Sequence, residues 1–186
     1  QNKLCLVSNA TDMFAFLYDA ANRRVAIATN STTAGWGWRQ IIHNGTLPVM
    51  ETYGGGYPRW FARGVGVADG TGDMIAETQT SIYDARYYHC NHRGDTVFIT
   101  DNNGDRLCHL SYDAFGAPRA KEDIGASQFT PRYTFSTKEY VPELSLYLYQ
   151  YRPYDYDSAR WLQRDPVGYQ DSVNLYQFCG NGPVMV

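Results

Sequence analysis

Leu144-Ser-Leu-Tyr-Leu-Tyr-Gln-Tyr151 alternates without a break. Leu144, Leu146 and Leu148 share one parity, and Tyr147, Tyr149 and Tyr151 share the other. A strand turns successive side chains to opposite faces, so this spacing predicts a strand with an aliphatic face and a tyrosine face. A helix would scatter both sets. Neighbouring runs show the same period of two, and turn residues separate them. Met13 to Tyr18 and Arg24 to Thr29 flank Asp19-Ala-Ala-Asn-Arg23. Trp36 to Ile42 and Thr46 to Tyr53 flank His43-Asn-Gly45, and Thr96 to Thr100 and Arg106 to Tyr112 flank Asp101-Asn-Asn-Gly-Asp105. Asn-Gly tolerates positive φ at both turn positions, so the last two of these pairs read as hairpins. Gly54-Gly-Gly56 and Asp69-Gly-Thr-Gly-Asp73 read as further loops.

The expectation is an all-β protein, an antiparallel twisted hairpin-repeat sheet followed by an irregular plug segment with a short helix. Residues 116–131 have no clean period and read as an irregular connection. Residues 153–186 carry too many Pro and Gly breakers for regular strands. Asn174-Leu-Tyr-Gln-Phe-Cys179 reads as one or two turns of helix ended by Gly180.

Composition narrows the function. The 186 residues carry a formal charge of −3, with no basic block. Such a chain lacks the counterion-releasing surface that nucleic-acid binding needs. No apolar run approaches the length of a membrane-spanning helix. Charged residues are 19% and hydrophobic residues 44%, which excludes a disordered chain. There are 16 tyrosines against 8 phenylalanines, a bias that suits a half-wet sheet face. The four cysteines, at 5, 90, 108 and 179, form no CxxC pair, so a zinc knuckle is disfavoured.

Tyr-Asp recurs at Tyr18-Asp19, Tyr83-Asp84, Tyr112-Asp113, Tyr154-Asp155 and Tyr156-Asp157. Tyr packs a sheet face, and Asp bonds its own backbone two residues on to start a turn. Each such hairpin cannot bury its face alone, and stacking neighbours completes the core. With Tyr87-Tyr-His-Cys-Asn-His-Arg-Gly94, Leu110-Ser-Tyr-Asp-Ala-Phe-Gly116, Phe135-Ser-Thr-Lys138, Leu146-Tyr-Leu-Tyr-Gln-Tyr-Arg-Pro-Tyr-Asp155, Arg160-Trp-Leu-Gln-Arg-Asp-Pro-Val-Gly168 and Asn174-Leu-Tyr-Gln-Phe-Cys-Gly-Asn-Gly-Pro183, the chain resembles the Rhs (rearrangement hotspot) or YD-repeat family. The likeness is to its C-terminal core region over about residues 87–186, with weaker YD-like similarity over 13–86.

The resemblance implies a piece of a large β-sheet shell, which in the C component of insect toxin complexes encloses a C-terminal toxin and in teneurins serves adhesion. It implies three stretches: degenerate hairpins over 1–86, core hairpins over 87–152, and a plug over 153–186. It also implies an aspartyl self-cleavage site, with Arg152 and Asp165 at the family's positions. Two close carboxylates sharing a proton would do that chemistry, with an Arg holding one ionised. The partner Asp-Pro, due shortly after Asn181-Gly-Pro183, does not occur in this sequence, so Arg152 and Asp165 are expected to be catalytically inactive and the chain not to act as an enzyme.

Other candidates are weaker. Trp36, Trp38 and Trp60, with Tyr53 and Tyr57, are a candidate aromatic platform for glycans, against the plainer reading of cross-strand packing. Asn9, Asn30 and Asn44 head Asn-x-Ser/Thr triplets and are candidate glycosylation sites of a secreted or cell-surface chain. His89, Cys90, His92, Cys108 and His109 lie close in sequence, but alternation turns His89 and Cys90 to opposite faces, so no metal and no cofactor is expected. The expected function is a structural shell element that encloses toxin or cargo and associates with further shell or other copies of itself. The alternatives are an adhesion or glycan-binding module and a remnant of a self-cleaving peptidase.

Overall fold

The computed structural model describes residues 3–32, 35–54, 56–64, 73–124, 129–170 and 173–183. Of the predicted loops Gly54–Gly56 and Asp69–Asp73, residues 55 and 69–72 lie outside the described residues. Eleven strands form one antiparallel sheet in strict chain order. They are β1 (Leu6–Ser8), β2 (Asp12–Tyr18), β3 (Arg24–Ser31), β4 (Gly35–Asn44), β5 (Leu47–Tyr53), β6 (Arg59–Arg63), β7 (Met74–Thr78), β8 (Arg86–Cys90), β9 (Thr96–Thr100), β10 (Arg106–Tyr112) and β11 (Pro118–Asp123). The ladder crosses residue 86 without interruption, since β7 pairs with β8 through Ala76 and Tyr87. A second antiparallel sheet follows, of β12 (Glu139–Val141), β13 (Leu146–Leu148), β14 (Pro153–Asp155) and β15 (Arg160–Trp161).

One turn recurs between strands. In Asp19–Arg23, Asn91–Asp95, Asp101–Asp105 and Asp113–Ala117, the first residue's Oδ1 accepts from the backbone N–H groups two and four residues on. Its own N–H donates to the fifth residue's carbonyl. The fourth residue is left-handed: Asn22 at φ 62°, Gly94 at 80°, Gly104 at 85° and Gly116 at 89°. Each of these hairpins slips register by a bulge beside the turn, as such turns do. The Tyr-Asp motif is thus one instance of a wider Asx-x-x-Gly/Asn device.

The alternation of 144–151 holds, but the strand is shorter than predicted. Pro142–Leu144 form a 3-10 turn, Ser145 is left-handed at φ 56°, and β13 keeps only Leu146, Tyr147 and Leu148. All three are buried, because both faces are covered. Leu146 and Leu148 pack on Phe14, Phe16, Ile27 and Ile41 of the large sheet. Tyr147 packs with Phe135, Tyr154 and Phe178 in an aromatic cluster. A third cluster joins Phe61, Met74, Tyr88, Ile99, Cys108 and Leu110 to Phe129 and Tyr133. The second sheet and its flanking segment therefore cover one face of the first.

Two expectations are corrected. Residues 116–131 are not an irregular connection throughout, because Pro118–Asp123 pairs along β10 as β11. Every residue of β11 is exposed and most are charged, so no hydrophobic alternation marks it. Asn174–Cys179 is not helical: Asn174 Oδ1 accepts from the Tyr176 N–H, and Gln177 bridges to Arg160. The 3-10 turn falls later, at Cys179–Asn181, with Gly180 inside it.

Gly116 is demanded twice. Its φ is positive, and a Cβ there would stand 2.6 Å from the Phe135 ring. Gly104 has the same turn role but open space around its Cα. Gly104→Ala should cost about 1–2 kcal/mol of left-handed strain. Gly116→Ala should cost about 1–3 kcal/mol beyond that from overpacking. Chemical denaturation of both variants checks the difference, and equal losses would contradict the docking of Phe135 on this turn.

Candidate functional site

A charged seam runs between the two layers. Parity along the large sheet turns Phe14, Ile27, Arg39, Glu51, Phe61, Glu77 and Tyr88 toward the second layer. Strand pairing sets Glu51 opposite Arg59 across β5 and β6, while Arg39 opposes Tyr53 across β4 and β5 and Glu77 opposes Phe61 across β6 and β7. Glu139, at the start of β12, enters this face from the covering layer and is 2% exposed. Its carboxylate meets Arg39 Nη2 at 2.5 Å, pairs closely with Arg24 Nη2, and lies 3.7 Å from Arg132 Nη1. Glu51, fully buried, accepts from Arg39 Nη1 at 2.9 Å and from the Tyr53 hydroxyl at 3.0 Å. Tyr53 OH accepts in turn from Arg132 Nη2 at 2.8 Å. Further along, Glu77 accepts from Tyr88 OH at 2.9 Å, and Arg63 pairs with Asp73 at 2.8 Å.

Charge placement decides the titrations. Burial pushes the Glu139 carboxyl up, but Arg39, Arg24 and Arg132 outweigh it and hold it at about 2. Burial dominates at Glu77, raising it despite Arg59 and Tyr88. The seam thus contains one carboxylate firmly ionised and one whose charge is weakly supported.

The predicted catalytic pair does come together. Arg152 Nη2 stands 2.8 Å from Asp165 Oδ2, with the guanidinium stacked 4.3 Å over the Trp161 ring. Asp165 Oδ1 accepts from the Val167 N–H, so the same carboxylate shapes the Asp-Pro turn. The pair borders a cavity of about 190 Å³ with Asn174, Gln177 and Cys179. Among the described lining residues Asp165 is the one carboxylate. This arrangement is an ion pair pinning 165–168 to β14 and β15.

The aromatic candidates divide. Trp36, Trp38 and Trp60 share the outer face of the large sheet and are 63%, 52% and 52% exposed. Tyr57 is exposed beside them in sequence, while Tyr53 faces inward into the seam. Asn9 donates its side-chain N–H to the Glu143 carbonyl at 2.7 Å. Asn30 lies within β3, and Asn44 ends β4 on an exposed hairpin. His89 stacks on Phe98 and contacts Thr100 Oγ1, and all four cysteines are free. No group of three metal-ligating side chains occurs among the described residues.

Sequence reasoning missed the seam. Its signal was present: Arg39 shares parity with buried Ile41, and Glu51 with Tyr53. A charge on the apolar parity of a strand marks a buried ion pair waiting for its partner. Because Glu139 is held below its ordinary 4.5, its stabilising contribution is complete above that pH and is lost as pH falls toward 2. Denaturant titrations across that range should show falling stability for the natural chain. Glu139→Gln should cost about 3–5 kcal/mol near neutral pH and flatten the acid loss. An unchanged pH slope in that variant would contradict the assignment.

No family model matches the chain. Among known proteins, the tRNA3(Ser)-specific nuclease WapA of Bacillus spizizenii is 32% identical over 103 residues, 53% of this chain and 4% of its own length. The tRNA nuclease WapA of Bacillus subtilis (strain 168) is 31% identical over the same extent. Toxin subunit YenC1 of Yersinia entomophaga is 29% identical over 112 residues, 59% of this chain and 11% of that protein. The chain thus spans a small part of these relatives. The crystal structure of TcdB2-TccC3-TEV superposes with a TM-score of 0.73 at 20% identity, over 94% of this chain and 9% of that one. The Photorhabdus luminescens Tc holotoxin pore gives 0.68 at 21% identity, over 97% and 9%. The sequence relatives and the shared fold both agree with the resemblance to Rhs/YD-repeat proteins read from the sequence.

Proposed function

We propose that the chain is a wall element of an Rhs/YD-repeat shell that encloses a toxin or other cargo in a secreted or cell-surface protein. The observation that carries this is the strict sequential order of eleven hairpin strands with one wet face and one covered face. Such a sheet extends by adding hairpins, which suits a wall. The likeness to the TcdB2-TccC3 structures supports the same reading. The role is structural. Arg152 and Asp165, which the resemblance assigns to a self-cleavage site, form an ion pair, and the reading of that pair as a peptidase remnant is secondary.

A second reading, an adhesion or glycan-binding module, is favoured by the three exposed indoles on the outer face. It is compatible with the first, since a wall presents that face to solvent.

The sheet's two edges differ. β11 carries Pro118, Arg119, Lys121, Glu122 and Asp123, all exposed, and such edges repel added strands. β1 is short and uncharged. The Phe16 N–H donates to the Cys5 carbonyl, so alternation points the Leu6 N–H outward, where a new strand would bond. The β1 edge is therefore the one that accepts further wall or a second copy.

Two measurements test this. In the full native protein, limited proteolysis should spare an enclosed segment until the shell is denatured. Cleavage of every segment at equal rates overturns enclosure. Light scattering of the chain should show association that grows with concentration and is lost in Leu6→Pro, since Pro is tolerated where an edge N–H faces solvent. A monomer at every concentration overturns edge pairing.

A further inference from the structure

At one end of the seam lies a small cavity of about 60 Å³, between the start of β3, the hairpin of β4 and β5, and the segments 137–139 and 148–150. That is roughly four or five times the space a single water needs, which suits a group of a few heavy atoms and excludes a drug-sized ligand. Two turns meet at its mouth. Arg23 Nη1 donates to the Gly45 carbonyl at 2.8 Å, which ties the Asp19–Arg23 turn to the β4–β5 hairpin. Arg23 keeps 35% of its side chain exposed and Thr46 is exposed, so the cavity reaches solvent.

Its lining is cationic. Arg23, Arg24, Arg63 and Lys138 border it, and Glu139 is the one carboxylate among its described lining residues. Arg23 is held by Asp19 and Arg63 by Asp73. Arg24 is matched less well. Its partner Glu139 also serves Arg39 and Arg132, and Glu51 serves those same two. Three guanidiniums thus share two carboxylates. Arg24 Nε is buried and has no acceptor. His43 completes the lining, and its ring makes no hydrogen bond among the described residues. A buried donor without an acceptor is costly, and buried charge in excess of its partners more so. An anion in this space offsets both.

We propose that this cavity binds a small oxyanion, taken by Arg24 and His43 in the field of Arg23, Arg63 and Lys138. A guanidinium fork matches two oxygens of one anion, a geometry that a spherical halide does not offer. Burial, then Arg23 and Arg24, lower the His43 pKa, with Asp19 and Glu139 opposing, so the empty cavity holds a neutral imidazole near pH 7. A bound anion favours the protonated ring, so binding takes up a proton. The inference goes beyond the shell reading, since the site belongs to this chain whatever it assembles with.

Isothermal titration calorimetry with sodium sulfate tests it, with ionic strength held constant by sodium chloride. Sulfate keeps its charge between about pH 5 and 8, where histidine titrates, so a pH dependence belongs to the protein. The natural chain should bind sulfate saturably at one site. Affinity should rise as pH falls, by up to about tenfold per pH unit, the limit for one proton taken up. His43→Gln should bind more weakly and lose that slope. Thr46→Glu puts a carboxylate at the exposed mouth and should weaken binding about tenfold or more, with the seam untouched. Circular dichroism checks that both variants fold, and the comparison of sulfate with chloride needs no variant. No saturable sulfate binding by the natural chain, or heat that chloride alone reproduces, overturns the proposal. So does an unchanged affinity in folded Thr46→Glu or an intact pH slope in folded His43→Gln.

Discussion

The Glu139 carboxylate fixes how the two layers meet. It is supplied by the covering segment and received by Arg24 of β3 and Arg39 of β4, more than a hundred and about a hundred residues away in sequence respectively. Arg132 closes the third side. A buried ion pair adds little net stability over a hydrophobic substitute, because desolvation consumes most of the Coulomb gain. Its effect is on position. Leu146 and Leu148 could slide over Phe14, Phe16 and Ile27 at small cost, as aliphatic contacts are non-directional. A carboxylate among three guanidiniums cannot slide without leaving a buried charge unpaired. The register of the covering sheet follows from that constraint.

The tyrosines then complete the seating. Tyr147 OH donates to the Gly116 carbonyl at 2.9 Å, and Tyr154 OH to the Phe115 carbonyl at 2.7 Å. Both acceptors belong to the turn that the Asp113 side chain closes. Aromatic bodies fill the space while hydroxyl tips satisfy backbone carbonyls that would otherwise be buried without a donor. This explains why tyrosine exceeds phenylalanine in the chain: the covering layer packs against turns as well as strands.

How much of this was legible in the sequence depends on which residues carried a local signal. The β9–β10 hairpin has the boundaries read from Thr96–Thr100 and Arg106–Tyr112, since apolar alternation and an Asp-x-x-Gly turn agree there. The two faces of Leu146 to Leu148 were also readable. Its shortness was not, because Ser145 is left-handed after the Pro142–Leu144 turn, a conformation that serine does not signal. β11 was invisible because an edge strand protected by charge carries no apolar pattern. The Asn174–Cys179 segment has helical spacing but spends its side chains on local turns. At the candidate site, Arg152 and Asp165 were placed together by resemblance, and their contact follows. The seam was hidden, since Glu139 and its arginines come together only when both layers exist.

The recurring five-residue turn has a consequence for the order of events during folding. Each one closes through its own Asx side chain and joins strands adjacent in the chain, so every hairpin forms from contacts a few residues apart. A sheet in strict chain order can nucleate at any such hairpin and spread to its neighbours, with little loop entropy to overcome at each step. Arg39 and Glu51 are paired within one hairpin, so this part of the seam needs no distant segment to form. The contacts of Glu139 with Arg24 and of Asn9 with the Glu143 carbonyl span more than a hundred residues and carry the largest loop cost. Chain order and loop cost together predict that the large sheet forms first and that the covering layer docks on it last.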